Sequence, residues 1–309
     1  MIITVTLNPA IDKTLKVDKL KPGELNRVRE VDIIAGGKGI NVARVVHQLG
    51  EPVVAMGFLG GDTGQQIDRF LEKEGLARNF TWTEYPTRVN MKILENDDRE
   101  TEVNEPGQVL PQDFQVLKNS LKVQLKEASL LVLSGSLPQG VPEDAYNQLM
   151  KLANQNNVSV ILDTAGKSLK LGLREKPYLI KPNLHEVELL IDKRIDSTAG
   201  IYNAVDYFIG KGVRIIVISM GSQGAVFADR DELIWVKVPE VEVSQTTVGA
   251  GDSMVAGLAI KLLRKSSLEE MARFATALAT TYVKTGRRDK IELAGIKEIE
   301  SQLTLEYLK

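Results

Sequence analysis

The sequence predicts an α/β fold in which helices cover both faces of a mostly parallel central sheet. Short apolar runs rich in Val and Ile recur along the 309 residues, and stretches with apolar residues at helical spacing separate them. Continuous apolar strands that alternate with helices are typical of parallel sheets buried on both faces. Two segments, about 11–35 and 86–105, instead alternate between apolar and polar residues. This alternation predicts small antiparallel strands that are exposed on one side.

Each element is predicted from a local signal. Short β-branched runs predict the strands, an apolar period of 3.6 residues predicts the helices, and glycines such as Gly50 and Gly75 end them. The predicted elements are, in chain order, strand 2–7, helix 40–49, strand 53–58, a helix around 67–71, strand 130–133, a helix opened by Pro142, strands 158–162 and 178–180, helix 186–191, strand 214–218, and helices at about 251–264 and 268–284.

The composition excludes several classes of function. Hydrophobic residues make up 43% of the chain and charged residues 26%, which predicts a large core under a solvated surface. The formal net charge is -2, so there is no overall basic field to gather nucleic acid and we expect no such partner. The chain has no cysteine and two histidines, which excludes disulfides, thiolate metal sites, cysteine catalysis and a histidine-rich metal centre.

The N-terminal sequence and the hydropathy bear on location. The first residues form a short apolar strand that runs into a turn, without the basic region and cleavage site of a signal peptide. No apolar run reaches the roughly 18 residues that a membrane-spanning helix needs. We therefore expect a cytoplasmic protein with no membrane partner. Its length allows one large α/β domain or two smaller ones.

The run from Thr247 to Met254 places a Gly-Ala-Gly turn before Asp252 and an apolar helical pattern. A helix N-terminus exposes backbone N–H groups that bind anions. An acid in the first turn can accept a proton from a hydroxyl beside that anion, so the run suggests phosphoryl transfer to an alcohol. A tight turn with no ligand is the alternative that the run by itself leaves open.

Polar and glycine-rich residues also follow several predicted strands, where a doubly wound sheet has its crevice. They lie at 134–138, 181–186 and 219–224. No P-loop is present, because the nearest match, Gly166-Lys167-Ser168, has Ile161 in place of the first glycine. The run Gly36 to Gly39 lacks the spacing of a dinucleotide fingerprint. A P-loop NTPase and a nicotinamide enzyme are therefore disfavoured.

These residues resemble the PfkB, or ribokinase-like, family of sugar kinases over essentially the full length of the chain. The run Gly36 to Asn41 is similar to the N-terminal signature and Val248 to Ser253 to the C-terminal one, with the magnesium-associated motif Asn183-x-x-Glu186 between them. The resemblance implies a ribokinase-like three-layer α/β/α fold, with residues 1–309 as a single kinase domain and the two alternating segments as a small β-sheet lid. It also implies that ATP gives its γ-phosphoryl group to a sugar hydroxyl.

The resemblance implies that Asp252 is the catalytic base, kept ionised by the positive end of a helix dipole. The backbone amides of Ala250, Gly251 and Asp252 would form the anion hole for the transferred group. Glycine at 249 and 251 would permit positive φ and a close approach of the backbone. This assigns Gly249, Ala250, Gly251 and Asp252 to the chemical step.

The resemblance also implies a nucleotide side to the site. Asn183 and Glu186 would position Mg²⁺, through water, since Mg²⁺ keeps much of its hydration shell. A helix cap followed by a first-turn acid is the alternative for this pair. The residues that would line the nucleotide are Lys181, Asn183, Ser219, Gly221 and Gly224.

On the acceptor side, the resemblance implies that Asp12 hydrogen-bonds sugar hydroxyls. The residues placed against the sugar or its phosphate are Gly37, Lys38 and Asn41.

Arg88 lies on a predicted lid strand, where a period of two puts Arg88, Asn90 and Lys92 on one face. A phosphate dianion needs donors and positive charge, and arginine can bind it bidentately. Ligand contact is therefore predicted for Arg88 and Asn90. For Lys92, Arg27 and Ser136, contact with the ligand and a solvated polar face are both open.

Within the family, Lys38 and the stretch 87–92 are most similar to 1-phosphofructokinases, which phosphorylate the 6-hydroxyl of fructose 1-phosphate. Tagatose-6-phosphate kinases share most of these motifs and are the alternative. A non-catalytic sugar-phosphate sensor on the same fold is a more remote one. Because relatives often pair their lids, a homodimer through the lid is expected. Thr246-Thr247 stands where many relatives have Asp-Thr, which leaves activation by a monovalent cation open.

Overall fold

Strands and helices alternate along most of the chain in a computed structural model that describes residues 1–97, 99–244, 247–286 and 291–309. The strands are β1 (Ile2–Thr6), β2 (Ala10–Lys16), β3 (Glu30–Gly36), β4 (Val53–Gly60), β5 (Arg78–Thr83), β6 (Arg88–Leu94), β7 (Glu100–Asn104), β8 (Leu130–Ser134), β9 (Ser159–Asp163), β10 (Leu179–Ile180), β11 (Ile215–Ser219), β12 (Ala225–Ala228), β13 (Leu233–Lys237) and β14 (Thr304–Tyr307). The helices are α1 (Lys38–Gln48), α2 (Gly61–Lys73), α3 (Pro111–Gln124), α4 (Ala145–Gln155), α5 (Gly166–Gly172), α6 (Leu184–Ile191), α7 (Thr198–Gly210), α8 (Ala250–Leu263), α9 (Leu268–Thr285) and α10 (Leu293–Gln302).

The large sheet has the strand order β14-β13-β12-β11-β10-β9-β8-β1-β4-β5. From β11 to β5 every neighbouring pair is parallel, whereas β12, β13 and β14 run antiparallel along one edge. The predicted mostly parallel sheet is thus confirmed. Its parallel strands all end on the same side, which is where such sheets place their ligands.

Helices cover both faces of this sheet over two separate cores. Side chains alternate along β1, so Ile2 packs into one core while Ile3 and Val5 pack into the other. The helices α1, α2, α8, α9 and α10 line the first core, and α3 to α7 line the second. The predicted three-layer α/β/α arrangement is confirmed.

A second, four-stranded sheet has the order β3-β2-β6-β7 and is built from the two segments that alternate in sequence. The predicted antiparallel pairing is right for β2–β3 and for β6–β7. It is wrong for the central pair, because β2 and β6 run parallel. A hairpin turn sets the direction only of the two strands that it joins, and β2 and β6 come from different hairpins.

Some elements differ from their predicted bounds or have no predicted counterpart. The fourth helix begins at Ala145 rather than at Pro142, because the Pro142 carbonyl accepts a turn hydrogen bond from the Ala145 amide at 2.9 Å. The antiparallel strands at the sheet edge and the strand β5 were not predicted. The other elements without a predicted counterpart are α3, α5, α7 and α10.

Among the helices in the described part of the chain, none is both long and apolar enough to cross a membrane. Thr246, the position that departs from the family pattern, lies outside the described residues.

Candidate active site

Four charged side chains from different elements meet where the ends of the parallel strands face the first turns of α1 and α8. Asp163 ends β9 and Lys181 follows β10, while Lys38 begins α1 and Asp252 lies in the first turn of α8. Asp163 and Lys181 are brought together because β9 and β10 are neighbours in the sheet. The cluster therefore lies at the edge where a doubly wound sheet binds its ligands.

Asp163 forms the centre of this cluster, with only 2% of its surface exposed. One carboxylate oxygen lies 3.3 Å from the ammonium nitrogen of Lys181, and the other lies 3.3 Å from that of Lys38. Burial alone would raise the pKa of Asp163, but the two ammonium groups together hold it below its usual value. Conversely, the charge of Asp163 raises the pKa of Lys38 against the opposing effect of burial. Asp163 thus favours the charged form of Lys38, and it also pairs with the buried ammonium of Lys181.

Asp252 is buried, and its Oδ2 accepts a hydrogen bond from Nδ2 of Asn41 at 2.7 Å. Burial, reinforced by the charge of Asp163, raises the pKa of Asp252 to about 6, although Asn41, Lys38 and Lys181 act to lower it. The helix dipole is therefore only one of several influences on this carboxyl. With a pKa near 6, Asp252 is ionised at neutral pH and accepts protons better than an ordinary aspartate.

The backbone before α8 is shaped as an anion-binding turn requires. Gly249 is the N-cap, with a φ of 102° in the left-handed region, which favours glycine. A Cβ at this position would lie 2.6 Å from the hydroxyl oxygen of Tyr282. The amide of Ala250 donates to the Thr247 carbonyl at 3.2 Å. Of the three amides predicted to form the anion hole, that of Ala250 is therefore engaged within the turn.

The expectation of a positive φ at Gly251 is wrong, because Gly251 is an ordinary helical residue in the first turn of α8. Its lack of a side chain matters for a different reason. A Cβ at Gly251 would lie 3.5 Å from the ammonium nitrogen of Lys181. A lysine charge therefore stands beside the helix N-terminus, where both favour an anion.

Asn183 and Glu186 form a reciprocal capping box at the start of α6. Oδ1 of Asn183 accepts from the Glu186 amide at 2.8 Å, and Oε2 of Glu186 accepts from the Asn183 amide at 2.9 Å. The helix cap considered as the alternative from sequence is thus present. Glu186 also faces the site, since its charge contributes to the raised pKa of Lys38. The capping box orients the carboxylate of Glu186, and its role in holding a metal ion stays a prediction.

The predicted nucleotide residues after β11 adjoin this cap. Ser219 pairs with Asn183 in an isolated parallel bridge, and its amide donates to the Pro182 carbonyl at 3.1 Å. Gly221 and Gly224 shape the turn that follows, and Gly224 packs directly on the Val236 carbonyl. Packing by itself thus accounts for glycine at 224, and nucleotide contact at Ser219, Gly221 and Gly224 stays a prediction.

On the small sheet, Asp12, Asn90 and Arg88 form a connected polar group. Nδ2 of Asn90 donates to Oδ1 of Asp12 at 2.9 Å, and Nη1 of Arg88 donates to Oδ1 of Asn90 at 3.0 Å. Arg88 also donates to the carbonyls of Asn8 and Glu105. Its Nε is buried, and no described residue accepts a hydrogen bond from it. A desolvated guanidinium with a spare donor suits an anionic ligand.

Gly36 and two residues predicted to bind the phosphosugar, Gly37 and Ser136, lie near this group. Gly36 lies so close to Asp12 that a Cβ there would overlap its carboxylate. Gly37 is the N-cap of α1. Ser136 accepts a hydrogen bond from Nδ2 of Asn8 at 3.0 Å, and a sugar contact for Gly37 and Ser136 stays a prediction.

Lys92 and Arg27, for which the sequence left open whether they contact the ligand, differ in their surroundings. Lys92 pairs with Glu100 of the neighbouring strand at 2.7 Å and lies 3.9 Å from Glu102, which supports a polar face. Arg27 is exposed in the connection between β2 and β3.

Sequence reasoning missed Asp163. Its signal was the same one that marked the other polar clusters, namely a polar residue directly after a buried strand, here the apolar run 158–162. Sequence reasoning also did not anticipate the hydrogen bond from Asn41 to Asp252, and the predicted contact of Asn41 with the sugar stays a prediction.

Known proteins that are similar to this chain are sugar kinases. A family model described as "pfkB family carbohydrate kinase" matches residues 5–288. The chain is 38% identical to a 1-phosphofructokinase of Borreliella burgdorferi over 99% of this chain and 98% of the relative. It is 34% identical to a tagatose-6-phosphate kinase of Staphylococcus epidermidis over 97% and 99% of the two chains. A crystal structure of Escherichia coli phosphofructokinase-2 in complex with substrates and products superposes with a TM-score of 0.89, at 30% identity over 97% and 98%.

Proposed function

This chain belongs to the pfkB family of carbohydrate kinases, and we propose that it transfers the γ-phosphoryl group of ATP to the 6-hydroxyl of fructose 1-phosphate. The product is fructose 1,6-bisphosphate. The observation that carries the proposal is the meeting of Asp252 with Lys38 and Lys181 at the N-terminus of α8. A buried base beside an anion-binding helix end suits phosphoryl transfer to an alcohol.

Each group in the crevice has a role that follows from its charge. Asp252 accepts the proton of the attacking hydroxyl, which it can do at neutral pH because its pKa is about 6. The amides at the start of α8 and the ammonium of Lys181 stabilise the negative charge of the migrating phosphoryl group. Lys38 adds a second positive charge at the opening of the site, where 43% of its side chain is exposed.

Mg²⁺ would be held by Glu186, with Asn183, through water. In the part of the chain that the structure describes, no three His, Cys, Asp or Glu side chains cluster as a metal site. This fits an ion that keeps several waters and takes phosphate oxygens of the substrate as ligands. When bound, Mg²⁺ neutralises charge on the β- and γ-phosphates. The capping box supplies Glu186 in a fixed orientation for this purpose.

ATP would bind on the side of Lys181, Asn183 and Ser219. These residues are adjacent in space, because Asn183 and Ser219 pair across neighbouring strand ends and Lys181 precedes Asn183 in the chain. Lys181 in turn reaches the N-terminus of α8. A nucleotide on this side would therefore present its terminal phosphate to the anion-binding turn.

The phosphosugar would bind beneath the small sheet, which would act as a lid. Asp12 and Asn90 offer hydrogen bonds to sugar hydroxyls, whereas Arg88 and Lys38 offer positive charge to the phosphate that the acceptor already carries. A neutral sugar would offer no anion to the buried Nε of Arg88, which has no acceptor among the described residues. This charge favours a phosphorylated acceptor, and the relatives named 1-phosphofructokinase favour fructose 1-phosphate.

Tagatose 6-phosphate is the second candidate, because the Staphylococcus epidermidis relative bears the name tagatose-6-phosphate kinase. The experiment that tests the proposal compares kcat/KM for fructose 1-phosphate, tagatose 6-phosphate and fructose 6-phosphate. The rate is measured by a coupled assay of ADP release. We expect the highest value with fructose 1-phosphate. A higher value with tagatose 6-phosphate would favour the second candidate, and tight binding without ADP release from any acceptor would mean a sensor rather than an enzyme.

A homodimer through the small sheet is also part of the proposal. The face opposite Asp12 and Arg88 is mostly apolar, and it exposes 48% of Val31 and 49% of Val103. Exposed apolar faces of this kind mark interaction sites. The register puts the other residues of β2, β3, β6 and β7 on this face as follows: Ile11, Lys13, Leu15, Ile33, Ala35, Val89, Met91, Ile93 and Thr101.

Light scattering on the purified protein tests this dimer. We expect twice the chain mass for the native protein and the single chain mass for Val31→Glu combined with Val103→Glu. Val116→Glu, at a valine that is 54% exposed on α3, is the control and should stay dimeric. A native protein that is monomeric at micromolar concentration would contradict the proposal.

A further inference from the structure

Arg44 is a buried cation that has no role in the proposed reaction. It lies on α1, three positions after Asn41 and on the same side of the helix, with 7% of its surface exposed. Its Nε donates to Oε2 of Glu74 at 2.7 Å. Its Nη1 donates to the carbonyl of Ala35 at 3.2 Å and to Oδ1 of Asn41 at 3.3 Å. Arg44 thus ties α1 to the end of α2 and to β3.

We propose that Arg44 is a positioning residue that fixes the amide of Asn41 so that its NH₂ group faces Asp252. The inference rests on the proposed function, in which Asp252 is the base. An asparagine amide has an acceptor end and a donor end, and Arg44 offers only donors. The oxygen of Asn41 must therefore face Arg44, which leaves Nδ2 for the carboxylate of Asp252 at 2.7 Å. A flipped amide would place its oxygen against the carboxylate and its NH₂ against the guanidinium.

The contact matters because opposing charges surround Asp252. Asp163, at the end of β9, favours the protonated acid, as burial does. Lys38 on α1 and Lys181 after β10 favour the carboxylate, and so does the hydrogen bond from Asn41. Of the remaining charged groups in this network, Arg44 contacts Asn41 and Glu74 contacts Arg44. Loosening Asn41 therefore removes one of the few contacts that keep the base ionised.

Arg44→Lys is the informative variant. A lysine keeps the positive charge, but its single ammonium cannot contact Glu74, Ala35 and Asn41 in the way the planar guanidinium does. Since the base must be ionised, kcat falls as pH drops through the pKa of Asp252. We expect Arg44→Lys to move this acid limb upward by about one pH unit. KM for ATP should change by less than about threefold, because nothing on the nucleotide side is altered.

Arg78→Lys is the matched control. Arg78 also pairs with carboxylates of α2, through Asp68 and Glu72, and it lies on β5, where no contact leads to Asn41. Its acid limb should coincide with that of the native protein. If Arg44→Lys does not fold, Glu74→Gln replaces it, because it loosens Arg44 without leaving a buried carboxylate unpaired, and a smaller upward shift is expected.

A second readout does not depend on turnover. In protein labelled with ¹³C at the aspartate carboxyl carbons, the resonance of Asp252, assigned by its loss in Asp252→Asn, titrates with the pKa of this group in the unliganded protein. An upward shift in Arg44→Lys supports the inference even if no acceptor is phosphorylated. The inference is overturned if the acid limb and the carboxyl titration of Arg44→Lys both match those of Arg78→Lys. Where Glu74→Gln replaces Arg44→Lys, the same match overturns it.

Discussion

The crevice at the start of α8 and the polar face of the small sheet hold their functional groups in different ways. In the crevice, Asp252 and Asp163 expose 7% and 2% of their surface and are held by charged partners and by Asn41. On the small sheet, Asp12, Asn90 and Arg88 are half-buried and hold one another through neutral and charge-assisted hydrogen bonds.

The difference separates the chemical step from acceptor recognition. Desolvated groups in fixed positions stabilise developing charge with little reorganisation, and the crevice supplies them. The small sheet instead offers donors that can exchange a neighbouring residue for a ligand. We therefore expect substitutions in the crevice to act mainly on kcat and those on the sheet mainly on KM.

The largest effect is expected from Asp252→Asn. The amide keeps the shape of the side chain but cannot accept the proton, so kcat should fall by about 10³-fold. Calorimetric titration should show an ATP affinity close to that of the native protein. Retention of native kcat would refute the assignment of Asp252 as base.

A smaller but broader effect is expected from Asp163→Asn. Removing the central anion leaves two lysine charges without their partner, which should cost about 3 kcal/mol of unfolding free energy and, through their displacement, about 10²-fold in kcat. The acid limb of kcat should move to lower pH, because Asp163 raises the pKa of Asp252. This direction is opposite to the one expected for Arg44→Lys.

Denaturant titration and a kcat–pH profile check the prediction for Asp163. Glu298→Gln, which breaks the exposed pair with Lys284, is the control and should cost less than about 1 kcal/mol. An acid limb that stays in place would show that Asp163 does not act on the base.

On the small sheet, Arg88→Lys should raise KM for the phosphosugar by about tenfold, because lysine keeps the charge but loses the bidentate fork. KM for ATP and kcat should change by less than about twofold. Steady-state kinetics with both substrates varied measure this split. The control is Arg99→Lys, since Arg99 lies on the exposed turn between β6 and β7, and an equal effect of both variants would remove Arg88 from the acceptor site.

The smallest effect is expected on the Tm of Asp252→Asn. Burial raises the pKa of Asp252 in the folded protein to about 6 from its ordinary value of 3.8, so the folded protein binds this proton more tightly than the unfolded chain does. The stability contributed by the acid is present below about pH 4 and is lost as pH rises through about 6. Above that pH, Asp252→Asn should therefore raise Tm by about 3 °C.

Differential scanning calorimetry at several pH values measures this gain, which should vanish toward pH 4. A variant that is inactive and more stable would also show that the loss of kcat does not come from misfolding. Equal Tm values of the two proteins at all pH values would mean that ionisation of the buried carboxyl of Asp252 does not destabilise the folded protein.

The elements that could be predicted are those whose signal is local. The parallel strands have apolar runs, and α8 follows a turn whose Gly249 requires positive φ. The edge strands β12 and β13 consist almost entirely of apolar residues and were nevertheless missed, whereas β14 has no continuous apolar run. The parallel pair β2–β6 was missed because the pairing of two strands from different hairpins has no local signal.

The sequence by itself determined the three-layer fold and the glycine turn that puts Asp252 in the first turn of α8, since these depend on short-range spacing and on backbone conformation. Only the tertiary structure decided which charges meet. Asp163 lies between Lys38 and Lys181 because of the sheet order, and Asn41 faces Asp252 because Arg44 holds it there. The physical reason is that a pKa depends on burial and on neighbours that are distant in sequence, so the protonation of the base is a property of the packed molecule.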